Sequence, residues 1–346
     1  MHGCAPSRRG QRGVALLVAI LLVALGTIVA AAMAYNNAMT ARRAAATFEF
    51  DQALLVAEGG EALAAYRLQQ TFKQQSQYIY PGQPWSQPLQ PTEVIPGVTL
   101  EASLEDLQGR FNINNLVQGD GNSPNQVAIT AFQHLLSNLN LDPNLADYVV
   151  DWIDKNTTPM FPDGAEDSVY MEMNPSYRAP NLPITSTSEL LAVQGFTRAI
   201  FDKLAPYIVA LPIGVQVNTC SASPYVLDAL IGHVQFSADP RQFEKDREDS
   251  GTCFPTPTDV TTAAGNVEGG GGNSGTGANP GIGTNAGTGG TGGTPQTLAN
   301  LIAGKSSWFR LTSFVDAGSA EFAVYTTLAV DQAGLARPVM RSFTPD

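Results

Sequence analysis

Acidic residues in the middle of the chain are the side chains best suited to chemistry. Asp151 and Asp154 stand three positions apart on a predicted helix, so their carboxylates share one face. Further acids follow in a turn-rich loop set by Pro162 and Gly164. Hard cations take several oxygen ligands, and such a loop can wrap its carboxylates around one ion. The candidate metal ligands are Asp154, Asp163, Glu166, Asp167 and Glu172.

The spacing of these acids leaves two interpretations open. It does not follow the EF-hand pattern D-x-[DN]-x-[DN]-G. An acidic loop that is simply solvated accounts for the same residues without any ion. Composition and spacing alone favour neither interpretation strongly.

Enzymatic chemistry and nucleic-acid binding are both disfavoured. The three histidines, His2, His134 and His233, are too far apart in sequence for a metal-binding motif, and no G-x-S-x-G or Cys–His arrangement suggests a nucleophile. The formal net charge of −12 argues against a nucleic-acid partner. We therefore expect a protein that is not an enzyme.

An apolar helix is predicted at the N-terminus. Residues 14–34 carry no charge and span about 32 Å at about 1.5 Å per residue, enough to cross a bilayer core. Arg8, Arg9 and Arg12 precede the run, which favours a cytoplasmic N-terminus and an exported body. A plain membrane anchor explains the same features, whereas a cleaved secretory signal would place its cleavage site after the apolar run.

The basic leader and apolar run together resemble the class III leader of type IV pilins and type II secretion pseudopilins. That resemblance implies cleavage by a prepilin peptidase between Gly13 and Val14 and methylation of Val14. Most pilins carry a glutamate at mature position five, where this chain has Val18. Lack of that carboxylate is typical of the minor pseudopilin K, and it suits the first subunit of a filament.

The elements that must position the acidic loop follow from hydrophobic periodicity. The helical pattern continues from the apolar run to Phe72, and prolines from Pro81 to Pro91 predict a loop. Residues 94–110 predict a strand or hairpin, and residues 112–211 are helical in pattern. Two alternating segments, 308–315 and 320–330, predict paired strands close to the C-terminus.

A set of motifs in fixed order closely resembles the minor pseudopilin K of type II secretion. No single motif is specific, but their ordered combination is. In chain order they are F-N-I-N-N-L (111–116), A-D-Y-V-V-D-W-I-D (146–154), P-D-G-A-E-D-S-V-Y (162–170), Y-R-A-P-N (177–181), S-E-L-L-A-V-Q-G-F (188–196) and V-N-T-C-S-A (217–222).

This resemblance implies an α+β fold with a pilin-like long N-terminal helix packed on an antiparallel sheet. A large, mostly helical inserted domain interrupts that sheet. The implied division is a leader (1–13), a transmembrane helix (14–34), the first part of the pilin-like domain (35–111), the inserted domain (112–211), a segment returning to the pilin-like domain (212–262), a flexible Gly-rich linker (263–297) and the C-terminal strands (298–346).

The resemblance also implies a role and partners. The role is at the tip of a short periplasmic pseudopilus, with the minor pseudopilins I and J, the major pseudopilin, the prepilin peptidase and the inner membrane as partners. It further implies structural calcium bound by the acidic loop. A second hypothesis is a tip subunit of a type IV pilus-like filament that acts as an adhesin or in DNA uptake.

Two cysteines remain once the leader with Cys4 is removed. Cys220 and Cys253 then form an even pair in an oxidising compartment, which favours a disulfide. Two free buried thiols explain the same sequence, so the spacing alone does not establish the bond.

Overall fold

A computed structural model describes residues 12–74, 77–269, 297–318 and 320–344. Helix α1 (Arg12–Gln74) is unbroken and carries an apolar stretch long enough to cross a membrane. The side chains of its first half are exposed, whereas Ala53, Ala57 and Leu68 are fully or almost fully buried against a sheet. The predicted long N-terminal helix packed on a sheet is therefore confirmed.

Five strands form one antiparallel sheet in the order β1-β2-β7-β8-β9, and two short parallel pairs, β3-β4 and β5-β6, lie outside it. The strands are β1 (Leu89–Ile95), β2 (Val98–Asp106), β3 (Phe111–Asn112), β4 (Ile208–Val209), β5 (Val217–Asn218), β6 (Ile302–Ala303), β7 (Trp308–Ala317), β8 (Ala320–Val330) and β9 (Ala336–Ser342).

Alternation along the central strands explains how the sheet meets α1. Phe309, Leu311 and Val315 of β7 are buried in the core shared with α1, while the alternate residues Arg310, Thr312 and Phe314 are more exposed. Strands with one apolar face of this kind form a sheet that is covered on one side. The antiparallel sheet predicted for this part of the chain is confirmed.

The loop predicted to reach Pro91 is partly wrong, because β1 already begins at Leu89. Pro91 lies on the outermost strand, which pairs only with β2, and the register shifts between Leu89 and Thr92. A proline lacks the N–H that a central strand needs, but an edge strand can accommodate it.

A second core is formed by residues that lie between β2 and β7 in the sequence. We call the described residues of this segment the helical body. Its buried cluster extends from Phe111 to Ile302. Its helices are α2 (Gln126–Asn138), α3 (Leu145–Ile153), α4 (Asp167–Tyr170), α5 (Arg198–Leu204), α6 (Pro224–Ile231), α7 (Pro240–Ser250) and α8 (Pro257–Gly269).

The helical body extends beyond the boundary predicted for it. Residues 212–262 do not return to the sheet, because α6 packs on α2 with Leu227 and Leu230 buried in the same core as Phe132. Strand β5 pairs with β6 inside the body. Most of the segment 212–262, predicted to return to the pilin-like domain, thus packs with the helices of the body, while its Asn218 contacts Asp106 at the end of β2.

Helix α8 also overlaps the start of the Gly-rich stretch predicted as a linker at 263–297. Val260 is fully buried in the body core, and Ala263 and Ala264 pack against it, which holds this helix in place. Residues 270–296 lie outside the described residues.

A disulfide joins two parts of the helical body. Cys220 and Cys253 are bonded, with their Cα atoms 4.7 Å apart. Both side chains are buried. The bridge connects the residues just before α6 to the loop between α7 and α8.

The helical body extends from one end of the sheet. Asp106 pairs with Phe309 where β2 and β7 meet the body, and Ile79, just beyond α1, donates its N–H to the carbonyl of Gly304 at 2.9 Å. At the opposite end of the sheet, Phe50 of α1 packs on Phe322. The body thus lies at the end farther from the apolar half of α1.

Candidate metal centre

Three buried carboxylates meet between α3 and the loop that follows it. Asp151 and Asp154 come from the C-terminal end of α3, and Glu166 comes from the loop just before α4. Their residues are 0%, 1% and 3% exposed, respectively. Charged groups are rarely buried this deeply unless they are paired or bind a metal.

Hydrogen bonds tie the loop to α3. The backbone N–H of Met160 donates to the Asp151 carboxylate at 3.0 Å, and Gly164 N–H donates to the Met160 carbonyl at 2.7 Å. The side-chain amide of Asn156 donates to Asp154 Oδ2 at 2.7 Å. These contacts fold the loop back over the helix end and bring Glu166 to the two aspartates.

Burial raises the pKa of all three acids, and repulsion from neighbouring acids adds to it for Asp151 and Glu166. Burial, followed by the charges of Glu166 and Asp154, raises the pKa of Asp151 to about 7. Burial, followed by the charges of Asp154 and Asp167, raises the pKa of Glu166 to about 7. Burial raises the pKa of Asp154 to about 6. The ionised cluster is thus unfavourable unless a positive charge joins it.

Several oxygen atoms of this cluster are buried without a hydrogen-bond partner among the described residues. An unpaired buried acceptor is destabilising, so these atoms need a ligand. The set is Asp154 Oδ1, Glu166 Oε1, Glu166 Oε2 and Asn181 Oδ1. Oxygen-only donors fit a hard cation such as calcium.

No preformed metal geometry is present in the described part of the chain. There, no three side chains of His, Cys, Asp or Glu are arranged to hold one ion. The unpaired atoms belong instead to two carboxylates and one amide. A cation at this place would thus be held by Asp154, Glu166 and Asn181, with Asp151 adding charge nearby.

The structure brings together only part of the ligand set predicted from the sequence. Of the five predicted ligands, Asp154 and Glu166 lie together in the cluster. Asp167 instead accepts a hydrogen bond from Ala179 N–H at 3.2 Å and lies 3.5 Å from Arg178.

The other two predicted ligands also lie apart from the cluster. Asp163 is half-buried and acts on a different acid, because its charge, after burial, raises the pKa of Asp147. Glu172 is exposed.

Two residues of the site were missing from that predicted set. Asp151 shares a helix face with Asp154, and this spacing was a usable signal. Asn181 comes from Y-R-A-P-N, and its side chain donates to the carbonyl of Asn156 at 2.9 Å, which holds it beside the loop. Its position depends on the path of the loop, so sequence spacing gave no signal for it.

The predicted processing site lies at the first described residues of the chain, where Arg12, Gly13 and Val14 are helical. Residues 1–11 lie outside the described residues.

Comparisons with known proteins all point to one family. The family model for type II secretion system protein K matches residues 109–213. Type II secretion system protein K of Pseudomonas aeruginosa is 34% identical over 246 residues, covering 68% of this chain and 72% of the relative. The protein of the same name from Aeromonas hydrophila is 34% identical over 228 residues, covering 62% of this chain and 69% of the relative.

A solved structure shares the fold. It is the crystal structure of the GspK–GspI–GspJ complex from the enterotoxigenic Escherichia coli type 2 secretion system. The TM-score is 0.66 at 19% identity, and the match covers 88% of this chain and 100% of the other.

Proposed function

Because this chain belongs to the type II secretion system protein K family and is thus a minor pseudopilin, we propose that it caps the tip of the periplasmic pseudopilus. There it initiates or closes filament assembly during protein export across the outer membrane. Family membership favours this role over the adhesin or DNA-uptake alternative.

One observation carries the tip position. The helical body is inserted between β2 and β7, which are neighbours in the sheet, and it lies at the end farther from the apolar half of α1. Subunits of a pilus stack along their N-terminal helices. A body of this size above the sheet would obstruct a subunit placed over it, so the apex is the position that accommodates it.

Val18 supports the same position. If cleavage follows Gly13, Val18 is the fifth residue of the mature chain, where most pilins carry glutamate. A carboxylate in lipid is unfavourable without a partner charge. A subunit with no other subunit above it has no partner charge for such a carboxylate. An apolar valine at mature position five therefore suits the top of the filament.

Immunogold labelling of assembled pseudopili tests the tip position. The full-length chain, with an epitope tag after Thr344, should be labelled once, at one filament end. A tagged major pseudopilin provides the control and should be labelled along the length. Label from this chain along the whole filament would contradict the proposal.

A deletion tests whether the helical body restricts the chain to the apex. Asp106 and Phe309 face each other in an antiparallel pair, so a two-residue Asn-Gly turn in place of residues 107–308 joins β2 to β7 in register. This variant should enter the filament shaft. Labelling still confined to the tip would mean that the body is not what excludes the chain from the shaft.

We propose the minor pseudopilins I and J as direct partners, together with the major pseudopilin below them. The shared fold with a chain of the GspK–GspI–GspJ complex supports the first two. Helix α1 is proposed to cross the inner membrane once, with the sheet and helical body in the periplasm, after cleavage by the prepilin peptidase.

We also propose that calcium occupies the carboxylate cluster. Asp154 and Glu166 would hold the ion through their unpaired carboxylate oxygens, and Asn181 through its amide oxygen. Calcium supplies the positive charge that these acids lack. The ion would then fix the loop after α3 in its folded position.

Terbium luminescence and thermal unfolding of the full chain in detergent test the calcium proposal. Trp152 lies beside the cluster, with its ring centre 5.1 Å from that of Tyr170, and can sensitise a bound lanthanide. We expect sensitised terbium emission that calcium displaces, and a higher melting temperature with calcium.

Matched variants make this test specific. Glu166→Gln should remove most of the emission and of the calcium-dependent melting shift. Glu172→Gln, at the exposed acid of the same region, should leave both intact. Equal losses in the two variants, or no emission from the unmodified chain, would contradict the site.

A further inference from the structure

A groove of about 310 Å³ lies between the helical body and the sheet face opposite α1. Trp308 and Thr327 line it from the sheet, at positions that alternate with the buried, α1-facing Phe309 and Leu328. The tip position and the calcium site make no use of this groove.

The walls of the groove differ in character. On the sheet side, Val339 and Met340 of β9 are 59% and 39% exposed and give the groove an apolar wall. On the body side, Thr185 and Ser186 line the groove; their hydroxyls bond to Glu189 and Ser188, and each hydroxyl oxygen keeps a further acceptor position. An apolar wall facing a hydroxyl-bearing wall suits a peptide, whose side chains are apolar and whose backbone amides need polar partners.

Two arginines give the groove a positive end. Arg110 and Arg310 line it, and they are the only charged side chains among the described lining residues. Both form ion pairs with the same carboxylate, that of Glu105. The distance from a guanidinium nitrogen of Arg310 to Glu105 Oε2 is 2.5 Å. One glutamate cannot neutralise two guanidinium groups, so the groove keeps a positive charge in a chain whose net charge is −12. A carboxylate is the complementary group, because guanidinium binds it with paired hydrogen bonds.

Strand spacing sets the length of the occupant. The path from β9 across β8 to β7 covers two strand spacings of about 4.8 Å each, roughly 10 Å in total. An extended chain rises about 3.3 Å per residue, so three to four residues reach from Met340 to Arg310.

We propose that this groove binds an extended segment of a partner protein, three to four residues long. Its apolar side chains pack on Val339 and Met340, and its carboxylate lies at Arg110 and Arg310. The occupant is thus a short apolar peptide that ends in an acidic group.

Fluorine NMR of the full chain in detergent micelles, labelled with 5-fluorotryptophan, tests this assignment. The chain has three tryptophans, and Trp308 lines the groove, whereas Trp85 is buried under the sheet and Trp152 lies in the helical body. The Trp308 signal is assigned by Trp308→Phe. The probes are the blocked peptides acetyl-Val-Leu-Val-Glu-amide and acetyl-Val-Leu-Val-Lys-amide, and octanoate as an apolar carboxylate without a peptide backbone.

We expect the glutamate peptide to shift the Trp308 signal saturably and to bind at least ten-fold more tightly than the lysine peptide or octanoate. Val339→Glu should weaken this binding at least ten-fold, because it removes apolar surface and repels the carboxylate. Val94→Glu is the matched control, since Val94 is an exposed valine on the opposite edge strand, β1, and it should bind as the unmodified chain does.

Three results would each overturn the proposal. They are equal affinity for the two peptides, equal or tighter binding of octanoate, and an unchanged Trp308 signal at saturating peptide. Equal weakening by Val339→Glu and Val94→Glu would do the same, because the effect would then not belong to the groove.

Discussion

Ser306 donates its hydroxyl to Asp106 Oδ2 at 2.6 Å, across 200 positions of sequence. The same carboxylate oxygen accepts from the Asn218 amide at 2.9 Å, and Oδ1 accepts from Gln108 N–H at 2.9 Å. The side chain is buried, and this burial raises its pKa despite these donors. Asp106 therefore ties together the end of β2, the helical body and the residues before β7.

We predict that Asp106→Asn destabilises the chain by about 1–3 kcal/mol, because an amide nitrogen would replace one of the two acceptor oxygens and leave a buried donor unpaired. Denaturant unfolding in detergent measures the change. Glu101→Gln, at an exposed position of the same strand, is the control and should change stability by less than about 0.5 kcal/mol. Similar effects of both substitutions would contradict the importance of Asp106.

The disulfide leads to a second prediction. It closes a loop of 33 positions, and a crosslink of that length stabilises by about 3–4 kcal/mol in the chain-entropy model. A reductant should therefore lower the melting temperature of the unmodified chain. The double variant Cys220→Ser, Cys253→Ser should melt low with or without reductant. An unchanged melting temperature after verified reduction would show that packing alone holds the helical body.

The carboxylate cluster predicts a pH dependence in the presence of a chelator. The pKa values of Asp151 and Glu166 are raised to about 7 and that of Asp154 to about 6, while unfolded carboxyls titrate near about 4. When the folded pKa lies above the unfolded one, the stabilisation is fully present below the unfolded pKa. It is lost as the pH rises through the folded pKa.

Without calcium, the melting temperature should thus fall as the pH rises from about 5 to about 8. Saturating calcium should flatten this fall, because the ion replaces the protons that the cluster loses. Thermal scans across this range provide the measurement. A melting temperature that rises with pH in the chelator would contradict the burial of these acids.

The N-terminus gives a fourth prediction. Incubation with a prepilin peptidase and S-adenosylmethionine as methyl donor should remove residues 1–13 and leave methylated Val14, as intact-mass spectrometry will report. Gly13→Leu should block cleavage, because the bulky side chain replaces the glycine at the cut. Gly26→Leu is the matched control, since Gly26 lies in α1 with no neighbouring atom within 4 Å of an added Cβ. An unprocessed chain in cells that mature other pseudopilins would contradict the leader assignment.

Local patterns predicted the elements of the sheet well. The alternating segments at 308–315 and 320–330 correspond to β7 and β8, and the long apolar and amphipathic run corresponds to α1. Each of these depends on periodicity within one segment. The pairing of β5 with β6 was not predicted, because it joins residues far apart in sequence. No local signal encodes such a contact.

Of the residues in the candidate site, Asp154 and Glu166 were predicted as ligands from the sequence, whereas Asp151 and Asn181 were not. Asp151 and Asp154 follow from helical spacing, and both are buried in the cluster. The loop acids could not be told apart from the sequence, because the fold of the loop, which includes the bond from Met160 N–H to the Asp151 carboxylate, sets which of them are buried. In that fold Glu166 is buried and Glu172 is exposed. The sequence shows how many acids such a loop contains, but it does not show the backbone conformation that buries some of them.

The insertion of the helical body between neighbouring strands has a consequence for folding during export. If the chain enters the periplasm N-terminus first, as proposed, β2 emerges long before β7, and the sheet cannot close until the last strands have emerged. The helical body has its own core and its own disulfide, so it can fold while the rest of the chain is still being delivered. Once folded, it holds Asp106 near Phe309, which shortens the effective loop that pairing of β2 with β7 must close. We therefore expect the folded body to speed the pairing of the two strands that it separates in sequence.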